Sequence, residues 1–244
     1  MSKIYFASDL HLGVPNREKS LVREKLFVQW LDDIKRDAEA IYLLGDIFDF
    51  WFEYKKVVPK GYVRLLGKLA EISDSGIPIH IFMGNHDMWF FDYLEDEINA
   101  YLYREPIKIS LKGKHFFIGH GDGLGPGDNG YKLIKKIFKN KLCQWIFERI
   151  HPNLGISIAE YWSKKSRIVN AEKDESFYGE KEWLTQFCKE KMKTIKVDYF
   201  IFGHRHLPLE VDLGNDTTYI NLGEWVNYNS YAVFDGNKLE LKRY

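Results

Sequence analysis

Cysteine is almost missing from this chain. Cys143 and Cys188 are the only two among 244 residues, far apart and without Cys-x-x-Cys spacing. A disulfide framework is therefore not expected, and a reducing cytoplasm is the natural setting. Both cysteines read as small hydrophobes in helices. Net charge is missing as well: Lys+Arg 35 balance Asp+Glu 35, so nothing global points to a nucleic-acid polyanion as partner. No apolar stretch approaches the roughly 20 residues that a membrane span needs. The first strand is expected within three residues of the N-terminus, which leaves no room for a signal peptide. Internal repeats and low-complexity tracts are absent too. The length suits one well-buried domain.

What the chain does have is a series of apolar runs that stop at metal-grade donors. Ile4-Tyr5-Phe6-Ala7-Ser8 precedes Asp9-Leu10-His11, and Ile41-Tyr42-Leu43-Leu44-Gly45 precedes Asp46. Ile79-His80-Ile81-Phe82-Met83-Gly84 precedes Asn85-His86-Asp87, and Phe116-Phe117-Ile118-Gly119 precedes His120. Tyr199-Phe200-Ile201-Phe202-Gly203 precedes His204-Arg205-His206. Short runs rich in Ile, Phe and Tyr read as buried strands. Ligands in open α/β sheets sit beyond the carboxyl ends of the strands, so these five runs aim their donors at one place.

The rhythm of the first half is β-α-β: strand 3–8, helix from about Ser20 to Lys35, strand 40–45, helix from about Gly61 to Ser73, strand 78–83. That alternation predicts a parallel sheet. Lys112-Gly113-Lys114 marks a turn, after which the pattern shifts toward hairpins. A helix-rich stretch runs from about Asn129 to Lys193, followed by strands over 198–203, 208–213, 217–222 and 230–243. Asn215-Asp216 and Asp235-Gly236-Asn237 are hairpin turns. The expected architecture is α/β, two packed mixed sheets flanked by helices, as one domain over 1–244 with a helical insertion at about 124–178.

Asp9, His11, Asp46, Asn85, His120, His204 and His206 form the candidate metal set. In extended backbone, residues i and i+2 face the same way, so Asp9 with His11, and His204 with His206, can each address one centre together. A mixture of imidazole, carboxylate and amide suits Mn²⁺, Fe or Zn²⁺ better than Ca²⁺ or a thiolate-seeking metal. Two carboxylates against two divalent ions leave a net positive site, which attracts a phosphate or pyrophosphate.

The series Asp9-x-His11, Gly45-Asp46, Gly84-Asn85-His86-Asp87, Gly119-His120 and Gly203-His204-x-His206 resembles the signature of the calcineurin-like metallophosphoesterases, over nearly the whole chain. The resemblance implies a four-layer α/β fold with Asp46 bridging two metals. Asp9, His11 and His206 would hold one ion, and Asn85, His120 and His204 the other. A narrower likeness is carried by Gly45-Asp46-Ile47-Phe48-Asp49-Phe50-Trp51, His120-Gly121-Asp122-Gly123-Leu124, Asp128-x-Gly130-Tyr131 and Asn221-Leu222-Gly223-Glu224-Trp225. These segments resemble the branch of lipid A biosynthesis that cleaves the pyrophosphate of UDP-2,3-diacylglucosamine at its α-phosphorus, giving UMP and the diacylglucosamine 1-phosphate. The best-known members of that branch carry Arg where this chain has His86.

His86 is the candidate general acid, with Asp87 as the group to orient it. His80 and His115 lie inside strand runs, and His151-Pro152 reads as a helix exit. In the insertion, Tyr131, Ile134, Phe138, Leu142 and Trp145 recur at helical steps, while Lys132, Lys135, Lys136 and Lys139 gather on another face. Lys164, Lys165 and Arg167 follow on the next helix. Such a helix either packs on the domain with its lysines solvated or lies on an anionic membrane surface. The resemblance places Asp128, Ser163 and Arg167 against a lipid-sugar phosphate and Asn170 near another contact, with Asn85, His86, Tyr131 and His204 as further substrate-binding residues. Asp128 after Pro126-Gly127 also fits a helix N-cap. The expectation is thus a cytoplasmic enzyme peripheral on the inner membrane, with two divalent ions, most naturally Mn²⁺, a nucleotide-linked glycolipid substrate and no nucleic-acid partner. A phosphodiesterase or phosphatase acting on soluble nucleotides is the alternative.

Overall fold

In the computed structural model, residues 2–127, 129–174 and 176–244 are described, with the side chains of 166–174 outside that description. Strand β1 (Lys3–Ala7) pairs in parallel with β2 (Ala38–Leu43), which pairs in parallel with β3 (Ile79–Phe82), and β3 with β4 (Tyr101–Tyr103). β10 (Ser230–Phe234) and β11 (Leu239–Arg243) extend the other edge antiparallel, giving the order β11-β10-β1-β2-β3-β4. The second sheet has the order β5-β6-β7-β9-β8, from β5 (Ile107–Leu111), β6 (Lys114–Ile118), β7 (Tyr199–Phe202), β8 (Pro208–Asp212) and β9 (Thr218–Leu222). Within it β6, β7 and β9 run parallel, with antiparallel strands at both edges.

The period-2 alternation of each strand sorts its side chains into two cores. Ile4, Phe6, Ala40, Tyr42 and Phe82 of the first sheet meet Phe116, Ile118, Ile201 and Ile220 of the second. Tyr5, Ala7, Ile41, Leu43, Ile79 and Ile81 point the other way, where they pack with Phe27, Trp30 and Leu31 of α1 (Arg17–Ile34) and Leu65, Leu69 and Ile72 of α2 (Val63–Asp74). On the outer face of the second sheet, Phe117, Phe200, Phe202 and Tyr219 cover Leu184 and Cys188 of α7 (Trp183–Met192). The layers are therefore helix, sheet, sheet, helix, as expected.

Two small elements escape the sequence pattern: helix α3 (Tyr93–Ile98) and the three-residue β4, whose Tyr101 is exposed on an edge. The long run 230–243 divides at Asp235, whose carboxylate accepts from the N–H groups of Asn237 (2.8 Å) and Lys238 (2.9 Å). Lys112 (φ 48°) and Gly113 (φ 81°) both lie in the left-handed region, the two-residue turn that matches strand twist.

Helices α4 (Asn129–Lys139), α5 (Lys141–Glu148) and α6 (Pro152–Asp174) follow β6. They seat on an aromatic base in which Phe50, Phe52, Tyr54 and Trp89 meet Phe138, Phe147, Ile156 and Ala159. Trp89 lies 5.2 Å from Phe138 and 5.2 Å from Phe147, ring centre to ring centre. Trp89 also donates its indole N–H to the Phe138 carbonyl (2.9 Å). Pro152 opens α6 at a position where its missing N–H costs nothing, so His151 sits at a helix entry as well as after α5. His80 stacks between Tyr42 (4.2 Å) and Tyr101 (5.0 Å), a packing role.

Candidate metal centre

The carboxyl ends of β1, β2, β3, β6 and β7 converge, and the loops leaving them bend sharply. Asp9 (φ 54°), His11 (46°), Asp46 (52°), His204 (67°) and His206 (53°) all adopt left-handed backbone. For non-glycine residues this costs about 1–2 kcal/mol each, and it persists only where surroundings enforce it. The enforcement is visible. Asp9 N–H donates to the Gly45 carbonyl (3.0 Å), His11 N–H to that of Asp46 (2.9 Å), and Trp225 N–H to that of Asp9 (3.1 Å). The buried Arg23 of α1 donates to the His11 carbonyl (2.6 Å). Gly84 and Gly203 allow the loops to close, since a Cβ on either would collide with the carboxylate of Asp46 or Asp9 respectively.

The donors fall into two groups that share Asp46. Donor atoms of Asp9, His11, Asp46 and His206 lie within 4.8 Å of one another, and so do those of Asp46, His120 and His204. His206 Nε2 is 3.3 Å from Asp9 Oδ1 and 3.0 Å from His11 Nε2. His120 Nε2 is 3.4 Å from Asp46 Oδ2 and 3.1 Å from Asn85 Oδ1. His120 Nδ1 lies 2.7 Å from the Leu44 carbonyl, which fixes that nitrogen as an N–H and turns Nε2 inward. The expected pairing thus holds for Asp9 and His11 and fails for His204 and His206. All four residues have positive φ, so the extended geometry behind that spacing applies to neither pair: Asp9 and His11 share a group all the same, and His204 and His206 part.

Electrostatics fit a cation centre. Asp9 Oδ1 and Asp46 Oδ2 are buried with no hydrogen-bond partner among the described residues. Burial alone would raise the Asp9 carboxyl, but the adjoining imidazoles of His11 and His206 hold it well below the ordinary carboxylate range. Burial likewise opposes ionisation of Asp46, and the charges of His120 and His86 overcome it. Against its own burial, His120 is pushed up to about 10 by Asp46, while His204 is pushed down to about 4 by burial and by His120. The buried anions thus draw positive charge onto His120. Divalent ions meet that demand directly, and the O and N donors suit a first-row metal.

Asp87 does not orient His86. Its buried carboxylate accepts from four backbone N–H groups: Gly84 (2.9 Å), Asp46 (3.1 Å), Ile47 (2.7 Å) and Phe48 (3.3 Å). It ties the β3 loop to the turn that carries Asp46. The His86 ring is held instead by Asp49 and Ser163: Nδ1 lies 3.0 Å from the Asp49 carbonyl and 3.1 Å from Ser163 Oγ, which itself donates to Asp49 Oδ2 (2.8 Å). Ser163, expected at the substrate, is buried in this relay. Asp49 was missed as a site residue, although an acid three residues after Asp46 was there to be read.

On the far side, the Tyr131 hydroxyl donates to the buried Asp122, and its ring lies 6.4 Å from that of His204. Lys135 Nζ contacts Asp122 Oδ2 (2.6 Å), and Lys132 donates to the Gly125 carbonyl (2.7 Å). Lys139 pairs with Glu105 (2.5 Å). Three lysines of the expected solvated face therefore bind the protein itself. The apolar residues are divided too: Phe138 is part of the aromatic base, whereas Ile134, Leu142 and Trp145 are exposed. Asp128, and the side chains of Arg167 and Asn170, lie outside the described residues.

The chain belongs to the calcineurin-like phosphoesterase family, whose profile matches residues 2–208. Within that family, it is 41% identical to the UDP-2,3-diacylglucosamine hydrolase of Porphyromonas gingivalis, over 99% of this chain and 97% of the relative. It is 30% identical to the hydrolase of the same name from Vibrio vulnificus (97% and 96% covered). The Haemophilus influenzae hydrolase of that name is 29% identical (96% of each covered). Asn221 and Glu224, from the C-terminal motif, have structural work here. Asn221 donates to the Gly203 carbonyl (2.5 Å), and Glu224 caps the N–H groups of Asn227 (2.9 Å) and Tyr228 (3.1 Å).

Proposed function

We propose that this protein hydrolyses the pyrophosphate of UDP-2,3-diacylglucosamine to UMP and 2,3-diacylglucosamine 1-phosphate, as the names of its relatives suggest. The observation that carries the reading is a junction. Tyr131 of α4 reaches toward His204, and Ser163 of α6 reaches His86, so the imidazole–carboxylate cluster and the helical insertion are built as one unit. Asp9, His11 and His206 would hold one divalent ion, and Asn85, His120 and His204 the other, with Asp46 available to both. Mn²⁺ is the first choice, with Fe or Zn²⁺ as alternatives. When bound, such a pair supplies Lewis acidity at the phosphorus and an activated water. His86 faces the leaving oxygen, with Nδ1 engaged by Asp49 and Ser163 so that Nε2 carries the donated proton. Asp87 is a positioning residue for the Asp46 turn.

The insertion selects the acyl chains. Tyr131, Ile134 and Phe138 recur on one face of α4, and Trp162 on α6 lies 6.4 Å from Phe138. Leu133 and Ile137 of α4, Leu142, Trp145 and Ile146 of α5, and Leu154, Ile158 and Tyr161 of α6 add exposed apolar surface. Exposed apolar area on that scale marks an interaction surface. Together with Lys136, Lys164 and Lys165 it suits peripheral contact with an anionic, cytoplasm-facing membrane. No described helix is long and apolar enough to cross one. Asp128, Arg167 and Asn170 remain proposed contacts to the lipid-sugar phosphate.

The deciding experiment is mass spectrometry of products from UDP-2,3-diacylglucosamine with added Mn²⁺ in ¹⁸O-water. The expected products are UMP carrying the heavy oxygen and unlabelled diacylglucosamine 1-phosphate. Turnover of soluble nucleotide phosphodiesters with none of the lipid would move the protein to the alternative reading. A companion variant, Ile134→Ser with Trp162→Ser, replaces exposed residues and so spares the fold. Each methylene that loses apolar cover is worth about 0.8 kcal/mol. KM for the lipid substrate should therefore rise by an order of magnitude or more, while hydrolysis of a soluble phosphodiester stays unchanged. An unaltered lipid KM would remove these residues from substrate selection.

A further inference from the structure

Between the two imidazoles of the last motif stands an arginine that none of the chemistry above uses. Arg205 and Glu182 are both fully buried, with Arg205 Nε 2.7 Å from Glu182 Oε1. The guanidinium also donates through Nη2 to the Ser176 carbonyl (2.7 Å) and to Glu182 Oε2 (3.4 Å). The Trp183 ring lies 4.6 Å from it and that of Tyr178 5.8 Å. Burying both ions of a pair is expensive, and replacing such a pair with apolar residues is often neutral or stabilising. Stability alone is therefore a poor reason for a charged pair here.

The backbone supplies a better one. Arg205 N–H donates to the Gly203 carbonyl (2.8 Å), closing a three-residue turn around His204 at φ 67°. Turns of this kind with positive central φ are strained and rare. His206 at φ 53° continues the strain. This conformation sends His204 to the Asp46–His120 group and His206 to the Asp9–His11 group. Something must hold it, and the Arg205 side chain is planted in the middle of it. Its far end grips Ser176, Glu182 and Trp183, where the chain returns from the helical insertion. Gly125, where the chain enters the insertion, abuts the Trp183 carbonyl so closely that a Cβ there would collide with it.

We propose that Arg205, paired with Glu182, is a positioning residue. It anchors the strained turn that divides His204 and His206 between the two halves of the centre, and ties that division to the root of the insertion. The proposal rests on the reading of those histidines as ligands to two ions. It predicts that metal affinity, not folding, depends on the pair.

The test is Mn²⁺ binding to the full chain, by calorimetry and by the electron paramagnetic resonance signature of two coupled ions, beside a thermal melt. Arg205→Met combined with Glu182→Met leaves no lone buried charge, so it should melt near the parent. Its Mn²⁺ affinity should fall about 10–100-fold, the usual cost of losing an outer-shell partner, and the coupled signal should weaken. Arg205→Lys, which keeps the charge but not the planar fork, guards against misfolding of the double variant and should lose affinity to a smaller extent. If either folded variant keeps parental affinity and the coupled signal, the positioning role is wrong. If the parent itself takes up no Mn²⁺, the ligand reading falls first, which separates the two failures.

Discussion

Asp46→Asn should leave a folded protein that neither retains two metal ions nor turns over substrate. Asp46 is the one carboxylate common to both donor groups, with Oδ2 3.4 Å from His120 Nε2 and 3.8 Å from His11 Nε2. Asn is the informative replacement. It tolerates left-handed backbone, which Asp46 adopts at φ 52°, and its carbonyl can still accept from the His86 N–H as Oδ1 does at 2.8 Å. Only the charge and one anionic donor are removed. Asp46→Ala should lose metal and turnover equally, with a further loss of stability from strain at that φ. The measurement pairs metal content with a thermal melt. At free metal 100 times its Kd, each bound ion stabilises the parent by about 2.7 kcal/mol. The parent should gain this in Mn²⁺, and Asp46→Asn should not. Near-parental turnover of the Asn variant at saturating Mn²⁺ would overturn the bridging role.

Why a folding-neutral charge change should be so damaging follows from how the site is made. Few of its donors are held by their own strand. Asp9 and Asp46 are locked by each other's loops, Asp87 ties the Asp46 turn to the β3 loop, and Asn221 of β9 secures Gly203. The donors are positioned by contacts from outside the centre, the arrangement by which preorganised catalytic sites avoid reorganisation during reaction.

The strands and the identities of the converging donors were legible in the sequence. Buried strands must be apolar, and donors at their carboxyl ends interrupt that pattern abruptly. Conformation at those ends was not legible. Extended i, i+2 spacing put His204 and His206 on one side, but their backbone is left-handed, as is that of Asp9 and His11, and a two-residue period has no force there. Asp87 sits beside His86 in sequence, yet its carboxylate serves backbone N–H groups 39–41 residues earlier. Lys132 and Lys135 carry the periodicity of a solvated face and are spent on the Asp122 loop instead, because that loop leaves a buried carboxylate and open carbonyls facing α4. In each case a contact between distant segments overrode a local rule. The three-residue β4 was missed because it lies on an edge and offers too few residues for a period to show.

His86→Ala should keep both metal ions and lose roughly 10²–10⁴-fold in the chemical step, the span of a positioned acid. The geometry singles out one nitrogen. Nδ1 is engaged by the Asp49 carbonyl at 3.0 Å and Ser163 at 3.1 Å, while among the described residues no hydrogen bond engages Nε2. His11 stands edge-on at 5.0 Å, so the ring borders the donor cluster without joining either group that shares Asp46. The size of the loss should follow the leaving group. An alkoxide departs badly without a proton, so an alkyl phosphodiester should suffer near the upper end of that range. A nitrophenolate departs well unaided, and a soluble nitrophenyl diester should suffer least. The departing group of a pyrophosphate already stabilises negative charge, which puts the lipid substrate toward the lower end. Ser163→Ala should reproduce the same ordering with smaller losses, since it loosens the ring without removing it. Metal content measured alongside separates chemistry from assembly. Equal losses for alkyl and nitrophenyl diesters, with both ions in place, would take proton donation away from His86.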